Sequence, residues 1–199
     1  MPSERETNNP GWRVRSRTPS AWLDEVRSDL DGFLQDHAAC ERKASATAMT
    51  LASHYRDKEE LVTAMVDLAC EELGHFRRVY ELIAARGGSL GADAKDLYVG
   101  RLLRLVRRGP DVYLLDRLLI AGVVEARGCE RFRLLAEGLD ATVAPLYRDF
   151  ATSEAVHAAL FLRLARAYFP SEVVEARASE LLTAEAEIIG SLPLRAALH

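Results

Sequence analysis

Two short motifs in this chain have the residue types and spacing of metal ligands. Glu72-Leu73-Gly74-His75 and Glu154-Ala155-Val156-His157 each set a carboxylate and an imidazole three residues apart. On a helix that spacing puts both side chains on one face, a turn apart. Two more glutamates, Glu41 and Glu125, sit alone in the middle of amphipathic stretches. Oxygen and imidazole donors suit iron or manganese, and carboxylates can bridge two ions while each histidine binds one. Without cations, four carboxylates buried together would be very costly and would have to take up protons or separate.

The helices that must position these groups can be traced by their apolar stripes, in steps of three and four. The first stripe reads Leu30, Leu34, His37, Glu41, Ala44, Ala48, Leu51, and the second Leu61, Met65, Leu68, Glu72, His75, Val79, Leu82. The third reads Leu114, Leu118, Ala121, Glu125, Gly128, Phe132, Leu135, and the fourth Phe150, Glu154, His157, Phe161, Leu164, Tyr168. Each stripe carries an acid in its apolar seam. Glu41 and Glu72 are equidistant from the predicted Arg56-Asp57 turn, and Glu125 and Glu154 from a turn at Gly138–Asp140. Each antiparallel hairpin therefore brings one Glu and one Glu-x-x-His to a common height. A Glu from each of two helices and a Glu-x-x-His from each of the other two is the inventory of ferritin-like di-metal bundles, which join their hairpins by one long crossover. The fold class expected is all-α, a four-helix bundle of that kind with an extra C-terminal helix.

The rest of the chain agrees with that reading. It has 199 residues, 49% apolar and 28% charged, with a net charge of −4. That size and composition suit one domain with a sizeable core and exclude wholesale disorder. Residues 1–18 read as an irregular or loosely attached arm, 19–189 as the bundle and 190–199 as a tail. Helices are expected from Ser20, as a possible N-cap, to about His54, from a cap at Asp57 to Arg86, and over a crossover helix at 93–108. Three more should run from Asp111 to Glu137, from Asp140 to Tyr168 and from Ser171 to Ile189. No apolar run reaches the ~20 residues of a membrane span, and no secretory h-region is present. Three widely spaced cysteines form no CxxC motif, which fits a reducing cytoplasm. A net acidic chain does not coat nucleic acid by charge alone, although a local basic face is compatible with it.

Several neighbours of the ligand set need assignment. Glu71 sits about 100° around the helix from the stripe, so Glu72 is selected. Glu130 is set aside for Glu125 and is expected to pair with Arg127 or Arg131. His37, one turn before Glu41, is either a donor to that carboxylate or a satisfied core histidine. Cys40 and Cys129 are read as small core residues rather than thiolate ligands. Ala121 and Gly128 either make room for a substrate or allow close helix packing, and Gly74 either opens space beside the metals or has no role.

At these same residues the chain resembles a known family. HAACERKASATAM (37–49), EELGHF (71–76), DRLLIAGVVEARGCERFRLLA (116–136) and SEAVH (153–157) resemble the tRNA 2-methylthio-N6-isopentenyladenosine hydroxylases, MiaE. The resemblance spans roughly residues 20–170. It implies a non-haem di-iron monooxygenase that uses O2 and two electrons to hydroxylate the isopentenyl chain on adenosine 37, beside the tRNA anticodon. Glu41, Glu72, His75, Glu125, Glu154 and His157 would then be the iron ligands, with two iron ions as cofactor and O2 as co-substrate. The partners implied are tRNA, through its anticodon loop, and an electron donor that the sequence does not identify. No membrane contact and no large iron-storage cage are expected. RNA needs basic contacts, and the candidates are Arg101, Arg104, Arg107 and Arg108 of the crossover, with Arg13, Arg15 and Arg17 as a second group. The alternatives are iron oxidation or storage, or a ferritin-like oxidase or hydroxylase acting on another apolar substrate.

Overall fold

A computed structural model describes residues 12–199. Seven helices follow in order: α1 Ser20–Ser28, α2 Leu30–His54, α3 Glu59–Ala85, α4 Leu97–Leu103, α5 Pro110–Gly138, α6 Ala144–Tyr168 and α7 Ser171–Ser191. Among the described residues there is no strand. The main packing pairs are α2 with α3 and α5 with α6, the two expected hairpins, with α7 laid against α5 and α4. Among the described residues no helix is long and apolar enough to cross a membrane.

Helix ends depart from expectation for local reasons. The predicted first helix is two helices. At Asp29 the backbone leaves the helical region (φ −140°, ψ 63°), and the Asp29 carboxylate caps α2 by accepting from Gly32 N at 2.9 Å. Pro19, not Ser20, occupies the N-cap of α1. Lys58, not Asp57, precedes α3, whose first turn carries Glu59 and Glu60, charges that suit a helix N-terminus. Asp140 folds onto Thr142 N at 2.8 Å, and α6 starts only at Ala144. Gly109 turns into α5 at φ 132°, a conformation that favours glycine.

The crossover helix is much shorter than the predicted 93–108. Asp96 caps it, accepting from Val99 N at 2.8 Å. Beyond Leu103 the chain is held by side chains of other helices. Arg107 N donates to Asp116 of α5 at 2.8 Å, and Arg177 of α7 donates to Leu105 O at 2.8 Å. The four crossover arginines thus do not share one helix.

Two apolar clusters flank the level of the four stripe glutamates. One holds Met65, Leu68, Leu118, Leu119 and Phe161, and the other Phe33, Leu34, Phe132, Tyr147 and Phe150. Both chain ends pack on this frame. Residues 12–18 are irregular as expected but not loose: Trp12 is buried against Gly122, where a Cβ would come within 2.9 Å of the indole. Thr18 donates through N and Oγ1 to the Glu130 carboxylate. Residues 1–11 of the predicted arm lie outside the described residues. The C-terminal tail is fixed too, because Trp22 Nε1 donates to Ala197 O at 3.1 Å and Arg131 to Leu198 O at 2.7 Å.

Arg127 is fully buried in this frame and forks onto Glu185, itself fully buried, at 2.8 and 3.0 Å. Removing one partner of such a pair strands the other charge, at about 3–5 kcal/mol. Glu185→Ala should therefore lower the unfolding free energy by about that amount; a denaturant midpoint unchanged from the parent would contradict the account.

Candidate metal centre

Each of the four bundle helices delivers its acid to one level, where six side chains meet. Glu41, Glu72, His75 and Glu154 each offer a ligand atom within 4.8 Å of the others, and so do Glu72, Glu125, Glu154 and His157. The two quartets share Glu72 and Glu154. Each adds one glutamate and one histidine of its own, Glu41 with His75 and Glu125 with His157. Each quartet could hold a metal ion, and the two Glu-x-x-His carboxylates belong to both. All six sequence-selected residues are in it.

The donor chemistry fits cations. His75 Nδ1 lies 3.6 Å from Glu41, 3.4 Å from Glu72 and 3.8 Å from Glu154. His157 Nδ1 lies 2.9 Å from Glu72 and 3.7 Å from Glu154. Despite this crowding, both oxygens of Glu72, Glu154 Oε1, His75 Nδ1 and both nitrogens of His157 are buried without a properly directed hydrogen bond. Buried polar atoms are nearly always paired, so a cluster of orphans, all but His157 Nε2 at the level of the four carboxylates, points to an ion.

Titration in the cation-free state follows from the same crowding. Burial pushes the Glu125 carboxyl well above the usual range, with the Glu154 charge adding to it, and burial raises Glu154 and Glu72 as well. At Glu41 burial also raises the pKa, but the hydrogen bond from His37 and the close approach of the His75 imidazole outweigh it and hold the carboxyl low. Burial lowers the two imidazoles, yet the carboxylates around them win, chiefly Glu41 and Glu72 for His75 and Glu72 for His157, and each rises to about 9.

Two supporting residues differ from the sequence reading or complete it. Glu71 is outside the cluster, as its position around the helix predicts, but its carboxylate reaches to 3.2 Å from His157 Nε2 and accepts from Ser153 Oγ at 2.6 Å. It thereby helps to orient a histidine of the other hairpin, a contact that no spacing in α3 announces. His37 satisfies both alternatives at once. It is a fully buried core residue, and its Nε2 donates to Glu41 Oε1 at 2.6 Å while Nδ1 meets Tyr147 Oη at 3.3 Å. Glu130 pairs with Arg127 at 3.0 Å, away from the cluster. Cys129 donates to Ala151 O at 3.2 Å.

A cavity of about 400 Å3 opens beside the cluster. Glu41, Glu125 and Glu154 form part of its wall, with Ala121, Val124, Gly128 and Phe161 supplying apolar surface. A Cβ on Gly128 would stand 3.9 Å from Glu154, so the glycine leaves space at the carboxylates. Gly74 has nothing within 4 Å of a Cβ position and makes no such room. The cavity rim carries Lys43, Lys95 and Arg117, from three separate parts of the chain. Of the arginines singled out by sequence, Arg107 is tied to buried Asp116 at 2.8 Å, Arg101 donates to Ser191 at 2.7 Å and Arg15 to Ser179 at 2.6 Å. Arg104, Arg108, Arg13 and Arg17 are exposed.

Comparison with known proteins places this geometry in context. The family model described as tRNA-(MS[2]IO[6]A)-hydroxylase (MiaE) matches residues 11–199. A Pseudomonas putida protein named tRNA 2-(methylsulfanyl)-N(6)-isopentenyladenosine(37) hydroxylase is 39% identical, over 87% of this chain and 85% of its own. A Salmonella typhimurium protein of the same name is 29% identical, over 86% of this chain and 82% of its own. A solved structure, described as protein 43 with aldehyde deformylating oxygenase activity from Synechococcus, superposes with a TM-score of 0.90 at 35% identity. That likeness covers 94% of this chain and 96% of the other.

The raised groups set the pH response of the metal-free protein. For His75 and His157 the folded pKa of about 9 exceeds the unfolded value. Their contribution is complete below about 6.5 and is lost as pH rises through about 9. The raised acids Glu72, Glu125 and Glu154 act in the same direction, since they too bind more protons folded than unfolded. The chelated protein should therefore lose thermal stability between neutral and alkaline pH, and filling the site with divalent metal should flatten that loss. Equal melting temperatures for the chelated protein across the range would count against the buried cluster.

Proposed function

The chain belongs to the tRNA-(MS[2]IO[6]A)-hydroxylase (MiaE) family, and from that premise we propose that it hydroxylates the isopentenyl group of 2-methylthio-N6-isopentenyladenosine at tRNA position 37, using O2 and a non-haem di-iron centre. The observation that carries this reading is the buried cluster of unpaired carboxylate and imidazole atoms opening onto an apolar cavity.

Glu41 and His75 would hold one iron, Glu125 and His157 the other, and Glu72 and Glu154 both. When bound, the iron pair supplies the oxidising power to activate O2 and insert one oxygen atom into an unactivated C–H bond. The chain's own part is to position and protect. His37 fixes Glu41, and Glu71 steadies the His157 ring. The apolar wall formed by Ala121, Val124 and Phe161 would take the isopentenyl group and keep water from the reacting carbon. Glu125 is the most exposed of the six side chains, so the cavity reaches the site on its side. The adenine ring must leave the anticodon stack to enter, and the cations Lys43, Lys95 and Arg117 that border the cavity would meet the neighbouring phosphates. An external donor must supply two electrons per turnover.

The decisive experiment is mass spectrometry of tRNA nucleosides from cells lacking the protein and cells complemented with it. The hydroxylated nucleoside should vanish in the first and return in the second. Glu72→Ala and His157→Ala should fail to restore it and should bind less than the full two irons; normal hydroxylation in the deleted strain would end the tRNA assignment. A second reading, oxygen-dependent chemistry on a free aliphatic aldehyde, is favoured by the likeness to the Synechococcus protein. It would be supported by turnover of an aldehyde together with unchanged tRNA.

Rim charge is tested separately. Replacing Lys43, Lys95 and Arg117 by glutamine should weaken tRNA binding and reduce the salt slope of log K by about one for each phosphate no longer neutralised. Replacing Arg107, which is committed to Asp116, should leave the slope unchanged. The reverse pattern would move the RNA path back to the crossover arginines.

A further inference from the structure

A second group of metal-ligating side chains lies outside the carboxylate cluster. Cys40 of α2, Asp96 at the start of α4 and His199 of the C-terminal segment each offer one ligand atom, all within 4.8 Å of one another. Two contacts converge on a single nitrogen. Cys40 Sγ lies 3.9 Å and Asp96 Oδ2 3.3 Å from His199 Nδ1. One ring nitrogen can serve one hydrogen bond well, not two. A cation among the three would satisfy all of them. At zinc–ligand lengths of about 2.0–2.3 Å, tetrahedral geometry separates ligand atoms by roughly 3.3–3.7 Å, a range that holds the Asp96–His199 spacing and falls 0.2 Å short of the 3.9 Å from Cys40 to His199.

Asp96 and His199 are each held by something other than the cluster, and Cys40 Sγ has outside it a 3.8 Å contact with Asp36 Oδ2. Asp96 Oδ1 is engaged in capping α4 through Val99 N, which leaves Oδ2 for the cluster. The His199 backbone neighbour, Leu198, is pinned by Arg131 on its carbonyl and by Asp36 on its N–H, both at 2.7 Å. The imidazole itself stacks on Tyr98, with centroids 5.0 Å apart and planes 13° from parallel. Tyr98 is fully buried and donates to Glu185 at 3.0 Å. Asp96 and His199 are thus presented in place before any ion arrives, as ligands with supporting contacts are.

We propose that Cys40, Asp96 and His199 form a binding site for a zinc-like divalent cation, separate from the carboxylate cluster. Thiolate, imidazole and carboxylate together select a borderline-soft ion, whereas the four-glutamate cluster selects harder ones. Three protein ligands leave a fourth position for water. All three residues border the 400 Å3 cavity, so the ion would fasten α2, the crossover and the C-terminal segment along one edge of it.

Cobalt is the probe, because a Co2+–thiolate bond gives a near-ultraviolet charge-transfer band that carboxylate and imidazole ligands do not. Equimolar Co2+ added to the iron-loaded protein should produce the band, and zinc should bleach it. The band should persist in Cys129→Ser and in His157→Ala. It should disappear in Cys40→Ser and fall at least tenfold in His199→Ala at the same cobalt concentration, with circular dichroism matching the parent. No band in the folded parent, or a band that survives Cys40→Ser, would overturn the proposal. Removing His199 gives a variant at the edge of the fold, so the test does not depend on how α2 tolerates serine.

Discussion

Four carboxylates at one level inside an apolar bundle are the constraint on which the rest of this structure depends. Below them lies one apolar cluster and above them another, so the charge is open only on the side of the cavity that Glu41, Glu125 and Glu154 border. Two histidines at the same height offset part of it, which is why both imidazoles rise to about 9 while burial pushes the Glu125 and Glu154 carboxyls up. Neutralisation within the protein alone leaves Glu72 and His157 without directed hydrogen bonds. Two divalent cations would complete what side chains cannot, and a site loaded in that way would also bring the formal count of −4 close to zero.

The hairpins exist to keep these groups level. Each turn stands at equal chain distance from its two glutamates, so antiparallel packing delivers them together. The exchange between halves then goes further than the sequence motif. Glu72 belongs to the quartet of His157 and Glu154 to that of His75, so each hairpin depends on the other for a shared carboxylate. Glu71 and Ser153 extend that reciprocity outward, tying α3 to α6 beside His157. A metal held by these groups would therefore couple α3 to α6.

What is legible in the chain alone is whatever repeats with helical period. The six cluster residues fall on stripes, and their depth follows from counting to a turn; both survive in the structure. Contacts between segments far apart in the chain carry no such period. Nothing near Thr18 shows that it docks on Glu130, and nothing in LPLRAALH shows that Arg131 and Trp22 hold its carbonyls. Periodicity overextends the crossover helix because Leu, Arg and Val at 102–106 have helical pattern, while Asp116 and Arg177 bind the backbone there in another form.

The same distinction decides how charge should be read. Arginines clustered in sequence look like a nucleic-acid face, but here several are interior braces: Arg127 on Glu185, Arg131 on the C-terminal carbonyls, Arg107 and Arg177 on buried Asp116. An arginine bound to a buried carboxylate contributes little field at the surface and has no free donor fork for phosphate. The cations that border the cavity, Lys43, Lys95 and Arg117, come from α2, the crossover and α5 and form no run in the sequence. For a substrate that must present one nucleotide to a buried centre, a few cations around the entrance matter more than total charge. Net acidity and an RNA substrate are therefore compatible: several acids face the buried cluster or a buried arginine, and three cations border the cavity.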